Sequence, residues 1–270
     1  MPRIALIAAV LLAANLAFAQ APEAPPAPAP EPPSATVMVP VVGKVFGAGS
    51  VQWRTDVDLI NNLGRPVKVM LSLPTAPDPD DAWIFFELPA GATQRFTDVI
   101  AAFNMDRALS PLMVKTLNSK QPIRVNATVY AVKLDEPTTP VHPEPIAVAF
   151  ADAFYPLRAL YGLSFSDAFR TNVGLANLGE NPALFTIALQ RVSGRNIAVT
   201  QLTVPPGTLW HTSIQALFPL ITKGDDFSLL IETGSRATYV YGSVIENATN
   251  NARFIEPSIA TNMQSASTSQ

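Results

Sequence analysis

Trp53-Arg54-Thr55-Asp56-Val57-Asp58-Leu59-Ile60-Asn61 alternates with a period of two. Trp53, Thr55, Val57 and Leu59 fall on one side and Arg54, Asp56 and Asp58 on the other. That is the pattern of a strand with one core face and one wet face, and a helical period does not fit it. The stretch ends in the turn signal Asn61-Asn62-Leu63-Gly64, and an apolar strand over Val67 to Leu71 follows. Two strands joined by a tight turn set the expectation of an antiparallel fold.

The stretch returns as Phe169-Arg170-Thr171-Asn172-Val173-Gly174-Leu175-Ala176-Asn177, 116 residues later. The same offset takes Pro40 to Pro156, Pro89 to Pro205 and Gly91 to Gly207. One residue is then lost, and an offset of 115 pairs Phe103 with Phe218, Leu112 with Phe227, Val114 with Leu229, Val125 with Val240 and Val129 with Val244. It also sets His211 against Phe96. Agreement kept in order over about 90 residues marks two copies of one domain. Residues common to both copies read as fold determinants, and a specialised site belongs among residues present in one copy only.

Further strands are expected at Trp83 to Leu88, Gln94 to Thr97, Leu112 to Thr116 and Ile123 to Val132, with counterparts in the second copy. Val99 to Phe103 and Ile214 to Phe218 each suit one helical turn. About seven short strands per copy, closed by Pro-Gly turns, indicate an all-β protein of two antiparallel β-sandwiches. Helical signals are too sparse for a parallel α/β fold. The expected layout is a first sandwich over 36–134, a Pro-rich inter-domain segment over 135–149, a second sandwich over 150–257 and a flexible polar tail over 258–270. The two sandwiches are expected to fold as separate units.

Arg3, the apolar run Ile4 to Leu16 and the small-x-small Ala17-Phe18-Ala19 form a signal peptide over residues 1–19. Its apolar run is short of the roughly 20 residues a membrane span needs, so no stable span is expected after its removal. Residues 20–35 hold a Pro-rich linker, APEAPPAPAPEPP at its centre, that favours a stiff polyproline II spacer. The expected location is the periplasm or the exterior.

Composition excludes several trades. The 18 basic and 21 acidic residues give a formal charge of −3, the wrong sign for a nucleic-acid binder. Absence of Cys removes disulfides, thiolate metal sites and Cys nucleophiles. Only His142 and His211 remain for metal or triad chemistry, and no nucleophile elbow, P-loop or dinucleotide fingerprint occurs. His142 reads as a loop residue and His211 as a boundary residue packing its ring. Asp78, Asp80 and Asp81 read as a solvated turn, since no complete calcium loop surrounds them. No catalytic residue, metal site or cofactor is expected.

The order of a W/F-R-T-D/N strand, an Asn turn, an apolar strand, a Pro-Gly turn and a last V-x-x-x-V strand resembles a tandem repeat of uncharacterised secreted bacterial proteins. The ending Val244-Ile245-Glu246-Asn247 to Phe254-Ile255-Glu256-Pro257 is similar to theirs, while the first copy departs there. The resemblance covers roughly 36–257 and implies immunoglobulin-like sandwiches in exported proteins. It implies no activity.

The function expected is non-enzymatic: a structural, adhesive or surface-interaction protein with a protein or cell-surface glycan partner. Alternatives are a two-domain periplasmic assembly chaperone, against which the acidic balance argues, and a carbohydrate-binding accessory module. Candidate ligand contacts are Trp83, Trp210, Arg54 and Arg170. Trp83 and Phe85 share one strand face, where they would stack on a sugar if exposed. The expectation for them is sandwich core, and for the two arginines cross-strand pairing.

Overall fold

A computed structural model describes residues 34–47, 50–78, 82–135, 140–150, 155–191 and 195–260. The expected signal peptide, residues 20–33 of the linker, Asp80, Asp81 and residues 261–270 lie outside them. Copy one contains β1 (Ala35–Phe46), β2 (Val51–Ile60), β3 (Val67–Ser72), β4 (Trp83–Leu88), β5 (Thr93–Phe96), the single turn α1 (Val99–Ala102), β6 (Ala108–Thr116), β7 (Arg124–Lys133), β8 (Pro140–Ile146) and β9 (Ala149–Phe150). Copy two repeats the order. It has β10 (Leu157–Phe165), β11 (Phe169–Asn177), β12 (Ala183–Gln190), β13 (Asn196–Val204), β14 (Thr208–Ser213), α2 (Ile214–Leu217), β15 (Gly224–Glu232), β16 (Thr238–Glu246), β17 (Ala252–Ile255) and β18 (Ser258–Ile259).

In copy one a nine-stranded sheet folds over on itself: β4-β3-β6-β1, with β9 on β1, packs over β5-β2-β7-β8, and β1 joins the two layers by pairing Val45 and Phe46 with Trp53 and Gln52 of β2. Copy two stacks β13-β12-β15-β10-β18 over β14-β11-β16-β17. Every ladder is antiparallel, and the fold is the expected all-β sandwich architecture. Alternation fills the cores: Val57, Leu59, Val69 and Leu71 in one, and Val173, Leu175, Phe185 and Ile187 in the other. Among the described residues no helix is long and apolar enough to cross a membrane.

The shared residues hold the same posts in both copies. Asn61 is 0% exposed; its Nδ2 donates to the carbonyls of Arg65, Leu88 and Pro89, and its Oδ1 accepts from the Leu63 amide. Asn177, also 0% exposed, donates to Asn181 and Val204 carbonyls and accepts from the Gly179 amide. One amide therefore pins the turn after β2 or β11 to the end of β4 or β13, satisfying backbone groups that lie outside any ladder. Thr55 and Thr171 accept from the Gly43 and Ser164 amides, both at 3.0 Å.

Ladders correct several residue matches. The lost residue falls after Phe96, at Thr97, so Arg95 and not Phe96 is the counterpart of His211. Leu71 pairs with Val114 and Ile187 with Ile231, which makes Ile231 the counterpart of Val114 and shifts the expected β6–β15 match by two. Pro40 lies within a bulge of β1, between Val39 and Val42, whereas Pro156 precedes β10. A proline with no amide hydrogen is tolerated at such a break in the ladder.

Part of the segment expected to link the copies is a strand instead. β8 pairs along β7, from Val132 with Pro140 to Ala127 with Ile146. It lies at the end of its sheet, the position where a strand interrupted by Pro143 and Pro145 is tolerated, since outward amides have no ladder to serve. Ser258 and Ile259, expected in a loose tail, close the sheet of copy two beside β10. The copies touch: Phe254 of β17 packs against the copy-one core, and its amide donates to Glu144 Oε1 at 3.3 Å. All described residues belong to one compact unit.

Candidate binding cleft

A cavity of about 390 Å³ opens where the copies meet. Its copy-two wall is the outer face of β11, β16, β14 and β17, built by Arg170, Asn172, Tyr241, Ser243, Ile245, His211, Ala252 and Phe254. Pairing explains the grouping: Arg170 opposes Ile245, Asn172 opposes Ser243, and Ser243 opposes Phe254, so all point away from the core. Copy one supplies Val41, Val45, Phe46, Trp53, Leu109, Val129 and Arg107.

Tyr241 lies across this face, almost fully buried. Its hydroxyl is 2.9 Å from His211 Nδ1, and its ring stacks on Phe254 with centroids 5.6 Å apart. The ring needs the bare backbone of Gly174, where a Cβ would stand 2.1 Å from Tyr241 Cε1. Burial pushes the Tyr241 hydroxyl far above the usual phenol range, so it stays protonated. His211 is exposed on the outer face of β14, while β14, β11 and the Tyr241 ring crowd the inner side of its imidazole. That crowding lowers its pKa from 6.5 to about 4, and solvent contact on the exposed side works against the shift.

Copy one carries charge at the corresponding positions. Asp58 forms a bidentate pair with Arg95, at 2.8 and 3.0 Å. Asp98, in the left-handed region at φ 52 as the N-cap of α1, lies 3.3 Å from Lys44 and 3.7 Å from Arg54. Asp56 accepts from the Tyr130 hydroxyl and the Asp98 amide. The counterparts of Asp56 and Asp58 on β11 are Asn172 and Gly174, and Ser213 replaces Asp98 as the cap of α2. All three carboxylates are gone, while the arginine remains. Arg170 donates instead to Asn247 Oδ1 and Asn250 Oδ1, each at 2.9 Å. Burial lowers its pKa, and among the described residues no ion pair to a carboxylate opposes that. Neighbouring Glu246 is engaged by Thr249, and Asp167 by Lys223.

Of the four expected ligand contacts, only Arg170 lines the cleft. Arg54 is held by Asp98 and by Gln52 Oε1. Trp210 faces inward beside Leu175 and packs on the copy-two core. Trp83 and Phe85 correct the core expectation. They are 49% and 50% exposed on the edge strand β4, edge to face with centroids 4.7 Å apart. Cross-strand pairing describes neither shared arginine: Arg54 is held by a helix cap and by Gln52 on its own strand, and Arg170 by two asparagines after β16. His211 packs its ring at a boundary, against Tyr241, on the outer face of β14. His142 lies on β8, and Asp78 is exposed in the turn after β3. Among the described residues no group of three His, Cys, Asp or Glu side chains suits a metal ion. The sequence held one signal for the cleft: Asp56 and Asp58 change to Asn172 and Gly174 within an otherwise repeated motif.

No protein-family model matches the chain, and no curated protein shows significant similarity to it.

Proposed function

We propose that the protein is an exported, non-enzymatic surface-interaction protein whose recognition site is the cleft between its two copies. One observation carries this reading: on one shared scaffold, only the copy-two face that lines the cleft has lost its carboxylates and gained Gly174, Tyr241 and His211. Residues that serve folding alone would repeat, as Asn61 and Asn177 do. The non-catalytic part of the reading has its support in His211, a weak base at a pKa of about 4, bonded to a hydroxyl that burial keeps protonated. Export rests on the charged, apolar and small-x-small pattern of residues 1–19. N-terminal sequencing of the mature protein should begin at Gln20, and retention of Met1 would overturn export.

A carbohydrate-binding reading has its own support in the exposed Trp83–Phe85 pair, whose apolar ring surface on an edge strand is open to a sugar face. A glycan array and a pull-down from cell-surface extract, each with two variants, separate the readings. Ser243→Trp fills the cleft, and Trp83→Ala removes the platform. Ligand lost with Ser243→Trp and kept with Trp83→Ala supports the cleft; the reverse pattern moves recognition to β4.

A further inference from the structure

We infer that the cleft takes a small molecule bearing one carboxylate on a flat apolar body, with Arg170 as the anchor of the carboxylate. The inference rests on the cleft being the recognition site. A guanidinium carries five N–H donors in a fixed fork that matches a carboxylate. Asn247 and Asn250 take two of those donors and fix the fork's position without neutralising it. Copy one shows how the fold closes the same arginine when no ligand is wanted: Arg54 faces Asp98, and Lys44 shares that carboxylate. Copy two has Ser213 in place of Asp98 and Asn172 in place of Asp56, so the positive charge is kept and its internal partner removed.

The remaining walls describe the rest of the ligand. Arg107, its guanidinium 5.9 Å from the Phe46 ring, adds a second cation, and among the described residues no carboxylate lines the cleft. Trp53, Phe254 and Tyr241 bring aromatic surface on which a flat ring can stack. A volume of about 390 Å³ sits toward the small end of the ~300–1,000 Å³ common for small-molecule sites. An acidic protein of net charge −3 repels anions at long range, so binding of one demands a local cationic site of this kind.

The test uses the full mature chain and calorimetric titration with 2-naphthoate and its neutral counterpart, 2-naphthylmethanol. Naphthoate should bind at least tenfold more tightly than the alcohol. Arg170→Gln should abolish that preference while leaving the alcohol's affinity in place. Asn172→Asp, which restores the Asp56 carboxylate two residues along β11 on the outer face that Arg170 shares, should weaken that preference and covers the case in which Arg170→Gln fails to fold. Equal binding of both probes, or a preference that survives both variants, overturns the ligand class and leaves the cleft as the site. Binding of a peptide through its free C-terminal carboxylate, with no uptake of naphthoate, also overturns the small-molecule class and leaves the cleft. Binding of none of these probes overturns this inference, and the cleft reading then stands or falls on the glycan array and pull-down with Ser243→Trp.

Discussion

Tyr241 packs against the backbone of Gly174 so closely that a Cβ there would lie 2.1 Å from Cε1 and 2.2 Å from Cζ of the ring. Across the same pairing in copy one, Asp58 opposes Asn126. The flat cleft wall therefore depends on a glycine that the repeat does not otherwise require. Gly174→Ala should cost about 1–3 kcal/mol through overpacking and lengthen the His211–Tyr241 contact. Urea melts read the first effect and the His211 ring resonances the second. An unchanged midpoint with unchanged resonances would show that the wall yields freely.

Asn61→Ala and Asn177→Ala should each destabilise the protein by about 2–4 kcal/mol, since each strands several buried backbone groups at once. The two losses should be similar because the bonds correspond between copies. Denaturant melts check this; a loss below about 1 kcal/mol at either site removes that asparagine from the fold determinants.

Trp53 and Phe169 sit at the open ends of their strands, half-buried and 37% exposed, outside both core clusters. Their sequence pattern suggests a core loss of about 3–5 kcal/mol on truncation to Ala. The structure lowers the expectation to about 1–2 kcal/mol, because part of each ring stays in water in the folded state. A loss near the core value in denaturant melts would place these rings in the interior after all.

His211 should make stability depend on pH. Its folded pKa of about 4 lies below the ordinary 6.5, so between these values the unfolded chain binds the extra proton. Stability is unaffected above 6.5, falls as the pH drops from 6.5 toward 4, and levels off below. His211→Gln should flatten that part of the profile, read as the difference between the two proteins' denaturation midpoints at pH 7, 5.5 and 4.5. A constant difference across the three pH values would mean that the imidazole titrates alike in both states.

Arg158 on β10 is 3% exposed and has a buried Nη1 with no hydrogen-bond partner. Burial lowers its pKa, and neighbouring Tyr239 opposes the shift only in part. Arg158→Met should leave stability unchanged or raise it by up to about 2 kcal/mol, as a buried charge gives way to an apolar chain of similar reach. A clear loss in guanidinium melts would show that the guanidinium is stabilised in place.

The strand class and the turns that Asn61 and Asn177 open were legible in the chain itself; that these amides are buried and pin the turns was not. Period-two alternation and turn residues are local. The match between β6 and β15 was not legible. A slip of two residues preserves every inward and outward assignment, so hydrophobic pattern cannot detect it and only the ladder can. A slip of one reverses the face, which is how His211 is set against Phe96 in sequence and against Arg95 in the fold. The cleft itself had to wait for tertiary structure. Arg170, His211, Tyr241 and Phe254 come from four strands of one sheet, Trp53 and Leu109 from the other copy, and no local signal records which faces meet. What the sequence did determine is that copy two carries Asn172 and Gly174 where copy one carries Asp56 and Asp58. Packing against copy one turns that substitution of charge into a site, because an arginine freed of its carboxylates matters only where protein walls enclose it.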